Sequence, residues 1–464
     1  MELREYQKRI ANFLLNNENV LLSVGMGLGK TAPVLHFLDY VMKINNYKGV
    51  RVLIVAPRLV AETVWRQEAE AWGLWNLRAS MIFVEGTKVK KQQIANDDDV
   101  AQIKIVTPGS LYLFENKEFD ILIIDESTKF KNWNAKCSKA IMCINATRKI
   151  VMTGTFTPNG IFDTYPQLAA IDIADKKKYY SWRSENFVNI MEGSGLSFQK
   201  WKLRQGVTVN EVLNPYKDKI FTMTTDDYLE IPDFVENKIK INLSLTERKA
   251  YDELVATLHF EIPENLEDFT TTEKAKFAKI QTLTSGFVYE EDGTALRIEG
   301  GGSKIKYAVE FCCECRDNSE KVLIFYTYRE SAIRFKEEAD KEGLKVCSMS
   351  NPDWLKSWNN GEVDVLIANP AAAGHGLNLQ KGGHVILWLE LTYNYELFAQ
   401  ANARLHRSGQ DEIVRIYYLI ATETIDVRIL SALKRKEEEI KEINNLTKDY
   451  NLKELEGCDK KRKE

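Results

Sequence analysis

Two stretches of this chain carry residue types that could do chemistry together. One is glycine-rich, Val24-Gly25-Met26-Gly27-Leu28-Gly29-Lys30-Thr31, and the other, Ile121-Leu122-Ile123-Ile124-Asp125-Glu126, is an aliphatic run ending in two carboxylates. Glycines let a backbone curl until its N–H groups point at an anion, and a following helix adds its positive end. In such a loop Lys30 reaches the β- and γ-phosphates of a nucleotide, and Thr31 offers its hydroxyl to Mg2+. The carboxylates divide the remaining work: Asp125 holds Mg2+, usually through its water, and Glu126 polarises the attacking water as general base. Gly27, Gly29, Lys30 and Thr31 are therefore candidate nucleotide-binding residues, and Thr31 and Asp125 candidate metal ligands. Each stretch alone has a plainer reading, a glycine turn or a solvated strand end. Their presence in one chain favours phosphoanhydride chemistry. Val24 stands where the common form of the loop begins with Gly.

Further candidates gather around this pair. Gln7 lies upstream of the loop and can read both hydrogen-bonding edges of adenine, or simply face solvent. Arg404 and Arg407, three apart, share one face if their segment is helical. Two guanidinium groups would stabilise charge on a transferring γ-phosphate; otherwise they are surface salt-bridge partners. Pro57-Arg58 and Thr107-Pro108 each follow an apolar run and belong on one rim of a sheet, or are ordinary turns.

These residues need elements to position them. Asn19–Val24 is an apolar run of strand length before the loop, and Ala32–Tyr40 carries apolar positions at helical spacing. Strands are expected near 20–24, 52–56, 103–107, 121–125 and 149–153, the last ending in Thr153-Gly154-Thr155. Their continuous apolar runs suit a parallel sheet covered on both faces. A helix is expected over Lys8–Leu15 and another over Leu59–Trp72. Residues 161–233 lack strand alternation and read as a helical accessory segment. Within them, Lys176-Lys177-Lys178-Tyr179-Tyr180-Ser181-Trp182-Arg183 interleaves bases with aromatics. Such a run can grip phosphates and stack on bases, or equally start a solvated helix over a packed aromatic face. Beyond it come a strand over 235–243, a helix over 246–258, a flexible joint at Gly300-Gly301-Gly302, a helix over 304–315, and strands at 322–325, 346–348, 363–367 and 385–389. The fold class is α/β, with two parallel-sheet lobes in tandem and a helical insertion.

The 464 residues are too many for one core. With 44% hydrophobic and 28% charged residues, the chain reads as soluble and globular, and no stretch approaches a membrane span. The N-terminus has no secretory pattern, so a cytoplasmic location is expected. A net charge of −4 gives no global attraction to nucleic acid, so local basic patches must supply any. The seven cysteines show no disulfide signature. Cys312, Cys313 and Cys315 lie on an amphipathic helix with no second ligand pair nearby, and read as buried reduced thiols.

The set Gln7, Met26-Gly27-Leu28-Gly29-Lys30-Thr31, Asp125-Glu126 and Thr153-Gly154-Thr155 resembles the Swi/Snf family of ATP-dependent DNA translocases, within helicase superfamily two. In the second half, Lys321-Val322-Leu323-Ile324-Phe325-Tyr326-Thr327-Tyr328, Gly374-His375-Gly376-Leu377-Asn378-Leu379-Gln380 and Gln400-Ala401-Asn402-Ala403-Arg404-Leu405-His406-Arg407-Ser408-Gly409-Gln410 are similar to its later motifs. The likeness spans residues 3 to about 435, and the length suits a compact phage or bacterial member. The resemblance implies two RecA-like lobes using ATP and Mg2+, with DNA, mostly duplex and mostly through its phosphates, as partner. It adds Gly376 and Gln400 as nucleotide-binding residues, makes Lys30, Glu126, Arg404 and Arg407 catalytic, and points Pro57, Arg58, Thr107, Pro108, Thr327 and Tyr328 at nucleic acid. It divides the chain into an ATP-binding lobe (1–160), a helical accessory segment (161–233), an entry strand and helical protrusion (234–302), a second lobe (303–432) and a charged tail (433–464). Four departures stand out: Val24-Gly25 for Asp-Glu, Ser127-Thr128 for Ala/Gly-His after Asp-Glu, Asn369-Pro370-Ala371 for a Ser-Thr-Lys/Arg stretch, and Ala403 for Asp. Three functions fit: a duplex-DNA translocase, a strand-separating DNA or RNA helicase, and a non-enzymatic nucleic-acid-binding adaptor.

Overall fold

The fold is that of a computed structural model, which describes residues 2–58, 60–97, 102–189, 201–228, 234–258, 271–373, 379–407 and 409–461. Two compact units divide the chain. Among the described residues, the first holds 2–189, 201–228 and 438–461, and the second holds 234–437.

The first unit is built on a seven-stranded, wholly parallel sheet. Its strands in chain order are β1 (Asn19–Val24), β2 (Val52–Val55), β3 (Met81–Phe83), β4 (Ile103–Val106), β5 (Glu118–Asp125), β6 (Asn145–Thr153) and, after a small hairpin of β7 (Phe187–Asn189) with β8 (Trp201–Leu203), β9 (Ile220–Met223). The order across the sheet is β3-β4-β2-β5-β6-β1-β9. Side chains alternate across a strand, and here both faces find a core. Leu21, Leu53, Val55, Leu122 and Ile124 pack on one side. Val20, Leu22, Ile54, Ile121 and Ile123 pack on the other. Burial on both faces is why these strands read as unbroken aliphatic runs. Register brings Ser23 opposite Thr153 and Asp125 opposite Met152, so β1, β6 and β5 end on one level. Helix α1 (Glu5–Asn16) buries Tyr6, Gln7, Ile10 and Leu14, and α2 (Thr31–Ile44) follows the glycine loop directly.

Five strands of this sheet match the sequence expectation, and two do not appear in it. β3 has three residues, too short for alternation to register. β9 lies within the segment expected to be helical: Ile220-Phe221-Thr222-Met223 joins the open edge of β1. The expected helix over 59–72 is a π turn, Val60–Val64, running into helix α3 (Trp65–Ala71); Leu59 lies outside the described residues. The basic–aromatic run adopts the second of its two readings. Tyr179 and Trp182 are buried, Trp133 stacks on Tyr179 at 4.1 Å, and Arg183 lies over the Trp201 ring at 4.3 Å.

The second unit has a six-stranded parallel sheet. Its strands are β10 (Val235–Ile241), then, past a small hairpin of β11 (Phe287–Tyr289) with β12 (Ala295–Arg297), β13 (Val322–Phe325), β14 (Val346–Ser348), β15 (Val365–Ala368), β16 (Val385–Trp388) and β17 (Arg415–Ala421). The order is β10-β17-β16-β13-β15-β14. Cys312 and Cys315, on helix Ser303–Asp317, point into its core. The triglycine expected as a flexible joint is instead pinned. Gly302 N–H donates to Glu247 Oε1 at 2.6 Å, and Arg334 Nη2 donates to Gly301 O at 2.6 Å. Gly302 has φ 90, and a Cβ there would lie 2.4 Å from the Arg334 guanidinium. The glycines make room for the Arg334 guanidinium. The last helix, Ile425–Lys461, gives residues through Glu437 to the second unit and those from Glu438 to the first. Residues 462–464 of the basic terminus lie outside the described residues.

Candidate active site

β1 delivers the chain to the carboxyl rim of the first sheet, where ligands of open α/β sheets bind. Gly25 N–H donates to Met223 O at 2.8 Å, and Thr225 Oγ1 donates to Met26 O at 2.9 Å, so the residues at and after the end of β9 support the loop from the side. A Cβ on Gly25 would lie 2.5 Å from Thr225 Oγ1 and 2.8 Å from its backbone N. No side chain fits, which accounts for the missing carboxylate at position 25. Gly27 and Gly29 take φ 83 and 67, conformations that glycine adopts without strain.

Gln7 packs against this loop. Its Nε2 donates to Leu28 O and Gly29 O, both at 3.3 Å, and its Oε1 accepts the Arg4 N–H at 3.0 Å. A Cβ on Gly29 would come within 2.9 Å of that Nε2. Gln7 is thereby a brace for the loop, and reading adenine requires its amide to exchange these bonds. Thr31 opens α2, and Lys30 directly precedes it with no side-chain capping bond.

Lys30 Nζ donates to Glu126 Oε1 at 2.9 Å, with the two side chains 16% and 18% exposed. Gly154, at the end of β6, has the side chains of Met26 and Lys30 beside it. The Glu126 backbone is left-handed, φ 55 and ψ 62. A non-glycine residue there costs about 1–3 kcal/mol, and such strain concentrates at functional sites. Directly before it, Asp125 is buried. Its Oδ2 accepts the Trp65 indole N–H at 3.2 Å, and its Oδ1 is buried with no hydrogen-bond partner. Burial pushes the Asp125 pKa up to about 7, the Lys30 charge opposing and the Glu126 charge adding to it. A buried carboxylate oxygen without a donor suits a divalent cation, whose charge would hold the group ionised. Asp125 and the hydroxyl of Thr31 are the residues that would hold Mg2+.

Ser127, the first of the two residues that stand where Ala/Gly-His is usual, donates to Gln167 Oε1, and Gln167 Nε2 donates to Phe156 O at 2.6 Å and Asp163 O at 2.9 Å. Gln167 is fully buried and ties the turn after Asp125-Glu126 to the segment after β6. Nothing local in the sequence marks it. Trp65 likewise carries no local mark of a site residue. On the rim beside β5, Pro57 is buried and the Arg58 side chain is 85% exposed. Thr107 Oγ1 lies 3.5 Å from Ser110 Oγ, and Pro108 opens a short 3-10 turn.

The remaining candidates belong to the second unit. Thr327 and Tyr328 follow β13. Thr327 N–H donates to Glu390 Oε2 at 3.0 Å, and the Tyr328 hydroxyl donates to Gln281 Oε1 at 2.7 Å, so both are held by their own lobe. Gln400 donates to Glu396 at 3.3 Å within helix Tyr395–Asn402. That helix stops before the arginines, so Arg404 and Arg407 lie on turns and not on a helical face. Beyond the break, Gln410 Nε2 lies 3.3, 3.1 and 3.4 Å from Gln380 O, Gly383 O and Leu405 O, carbonyls that share its two N–H groups. Arg404 is buried. Gly376 lies outside the described residues, as does Ser408.

The structure thus assembles Gln7, Gly27, Gly29, Lys30, Thr31, Asp125 and Glu126 around one loop. Comparison with known proteins gives a match to the model of the SNF2-related domain over residues 6–296. A protein designated p41 of Acyrthosiphon pisum secondary endosymbiont phage 1 is 27% identical over 455 residues, covering 93% of this chain and 96% of its own. An ATP-dependent helicase of Mycoplasma genitalium is 24% identical over 97% of this chain and 43% of its own. The nuclear protein STH1/NPS1 of Saccharomyces cerevisiae is 24% identical over 94% of this chain and 34% of its own. The chain therefore spans the phage relative nearly end to end and less than half of the other two. Among solved structures, the Sulfolobus solfataricus SWI2/SNF2 ATPase core in complex with dsDNA aligns over 98% of this chain at 18% identity, with a TM-score of 0.43.

Proposed function

The chain belongs to the SNF2-related family of superfamily-two ATPases, and from that premise we propose that it is a DNA translocase: ATP hydrolysis stimulated by duplex DNA drives it along the phosphate backbone. The observation that carries the reading is the loop Gly25–Thr31 with Lys30 ion-paired to Glu126 beside a buried Asp125. In this reading Gln7 holds adenine, Lys30 the β- and γ-phosphates, and Thr31 and Asp125 the metal. Mg2+, when bound, neutralises phosphate charge. Nucleotide phosphate takes Lys30 from Glu126, which leaves that carboxylate as the general base for water. Arg404 and Arg407 stabilise charge on the transferring γ-phosphoryl group, and Gln400 and Gly376 contribute to the nucleotide site. Replacing either arginine with Ala is expected to lower turnover by about 10³–10⁵-fold, measured as phosphate release.

In this reading Pro57, Arg58, Thr107, Pro108, Thr327 and Tyr328 belong to the DNA-binding segments, with the exposed Arg58 able to reach phosphate, and contacts chiefly to phosphates make affinity salt-sensitive and nearly independent of sequence. Residues 1–160 and 303–432 form the two motor lobes, with 161–233 and 234–302 as accessory segments and 433–464 as a charged tail. The phage relative supports action in a bacterial or phage-infected cytoplasm.

The test is ATP hydrolysis at fixed low salt with no nucleic acid, single-stranded DNA, duplex DNA and duplex RNA. Strong stimulation by duplex DNA alone is the expected result. Preference for single strands or forks identifies a strand-separating helicase, and preference for RNA overturns the DNA assignment. Absence of hydrolysis throughout leaves a binding protein.

A further inference from the structure

Trp65 is the first residue of α3 and is fully buried. Its single polar atom, the indole N–H, is a donor only. That donor lands on Asp125 Oδ2, sixty residues away in sequence and at the end of a strand its own helix does not follow. A π turn directly precedes Trp65. Val60–Val64 makes one wide turn before the α-helix begins, and such turns collect at functional sites because they shift the residues that follow them.

We propose that Trp65 is a positioning residue for the metal site: its N–H fixes one oxygen of Asp125 so that the other, Oδ1, is presented to the cation. The inference rests on the reading of Asp125 as a metal ligand. A hydrogen bond serving only the fold would leave Asp125 with both oxygens satisfied, since an unpartnered buried oxygen costs stability. Here one oxygen is anchored and its twin, equally buried, has no hydrogen-bond partner. An outer partner that orients a ligand is a general device of metal sites, and its loss typically lowers metal affinity about 10–100-fold. Phe at 65 keeps most of the ring packing and removes only the donor.

The experiment uses the full chain and a fluorescent, non-hydrolysable ATP analogue, titrated at a series of Mg2+ concentrations and in EDTA. Trp65→Phe is expected to raise the half-saturating Mg2+ about ten-fold while affinity in EDTA stays unchanged. Asp125→Asn should raise it at least as much, and adding Trp65→Phe to Asp125→Asn should change nothing further, because the two act through one contact. A benzothienylalanine at 65, with sulfur in place of the N–H, should repeat the Phe result even where Phe loosens the core. If Asp125→Asn weakens Mg2+ dependence and neither change at 65 does, the positioning role is overturned and the metal ligand stands. Equal losses with Mg2+ and in EDTA for the position-65 variants mean a packing role, which also overturns it. If Asp125→Asn itself leaves the Mg2+ dependence intact, the metal-ligand reading falls and takes this inference with it.

Discussion

At the scale of the residue, the site is defined by which charged groups are partnered and by what. Lys30 and Glu126 satisfy each other across the loop, whereas Asp125 is only half satisfied. The acid that would take a proton from water is thus the one an ammonium group holds, and the acid for metal is the one left with an open oxygen. Glu126→Gln is expected to keep nucleotide binding and lower turnover about 10²–10⁴-fold, measured by fluorescent-nucleotide titration beside phosphate release. Retained turnover would remove Glu126 as general base. Gly25 poses the opposite problem, a position where absence of a side chain matters. Gly25→Ala puts a methyl into the Thr225 backbone and should cost about 1–3 kcal/mol in denaturant unfolding.

At the scale of the element, long-range buried polar contacts decide where segments start and stop. Glu247 shows this most clearly. Its carboxylate accepts N–H bonds from Gly302 at 2.6 Å, Ser303 at 3.2 Å and Ser244 at 2.9 Å, and a bond from the Ser303 hydroxyl. One side chain therefore caps the start of helix Ser303–Asp317 and secures its own helix's entry. Burial alone would raise the Glu247 pKa; the bonds from Ser303, Ser244 and Gly302 outweigh it, and the net shift is downward. A folded pKa below the unfolded one stabilises above the unfolded value, about 4.3, and the benefit vanishes as pH falls through the folded value. Glu247→Gln should therefore cost about 1–3 kcal/mol at pH 7. The gap from the unmodified chain should close below about pH 4. Urea unfolding at both pH values checks this, and a gap independent of pH would contradict the charge-based account.

At the scale of the whole molecule, chain order and unit membership part company. Residues 438–461 follow the second unit in sequence and complete the first. Ile443 is buried in the first unit's core, the Thr222 hydroxyl donates to Thr447 Oγ1 at 2.7 Å, and Lys448 is paired with Asp227. Asp227 lies two residues beyond Thr225, which bonds the phosphate loop. Ile443→Ala is expected to cost the first unit about 2–5 kcal/mol. Ending the chain after Glu437 should destabilise it at least as much. Chemical denaturation of the three chains tests this, and an unchanged midpoint on truncation would show the tail to be dispensable. No described helix is long and apolar enough to cross a membrane.

The sequence alone determined what depends on neighbours along the chain. The phosphate loop is legible because its glycines must be local to one turn, and Asp125-Glu126 because a doubly buried strand has to be continuously aliphatic up to its rim. The aliphatic strands β1, β2, β4, β6, β13, β15 and β16 follow for the same reason, whereas β17 is not among the expected strands. Tertiary structure decided what depends on residues far apart. Short β9 becomes a strand only because β1 leaves an edge for it. Gly25 is required only because Thr225 arrives beside it. The triglycine is held in hydrogen bonds only because Glu247 and Arg334 close on it. Arg404 falls beyond the end of helix Tyr395–Asn402, in a turn where Gln410 bonds Leu405 O. Trp65 and Gln167 become site residues by meeting groups that local pattern never mentions. Apolar periodicity reports burial along one segment, whereas a buried donor and its acceptor are matched only when the chain has already folded around them.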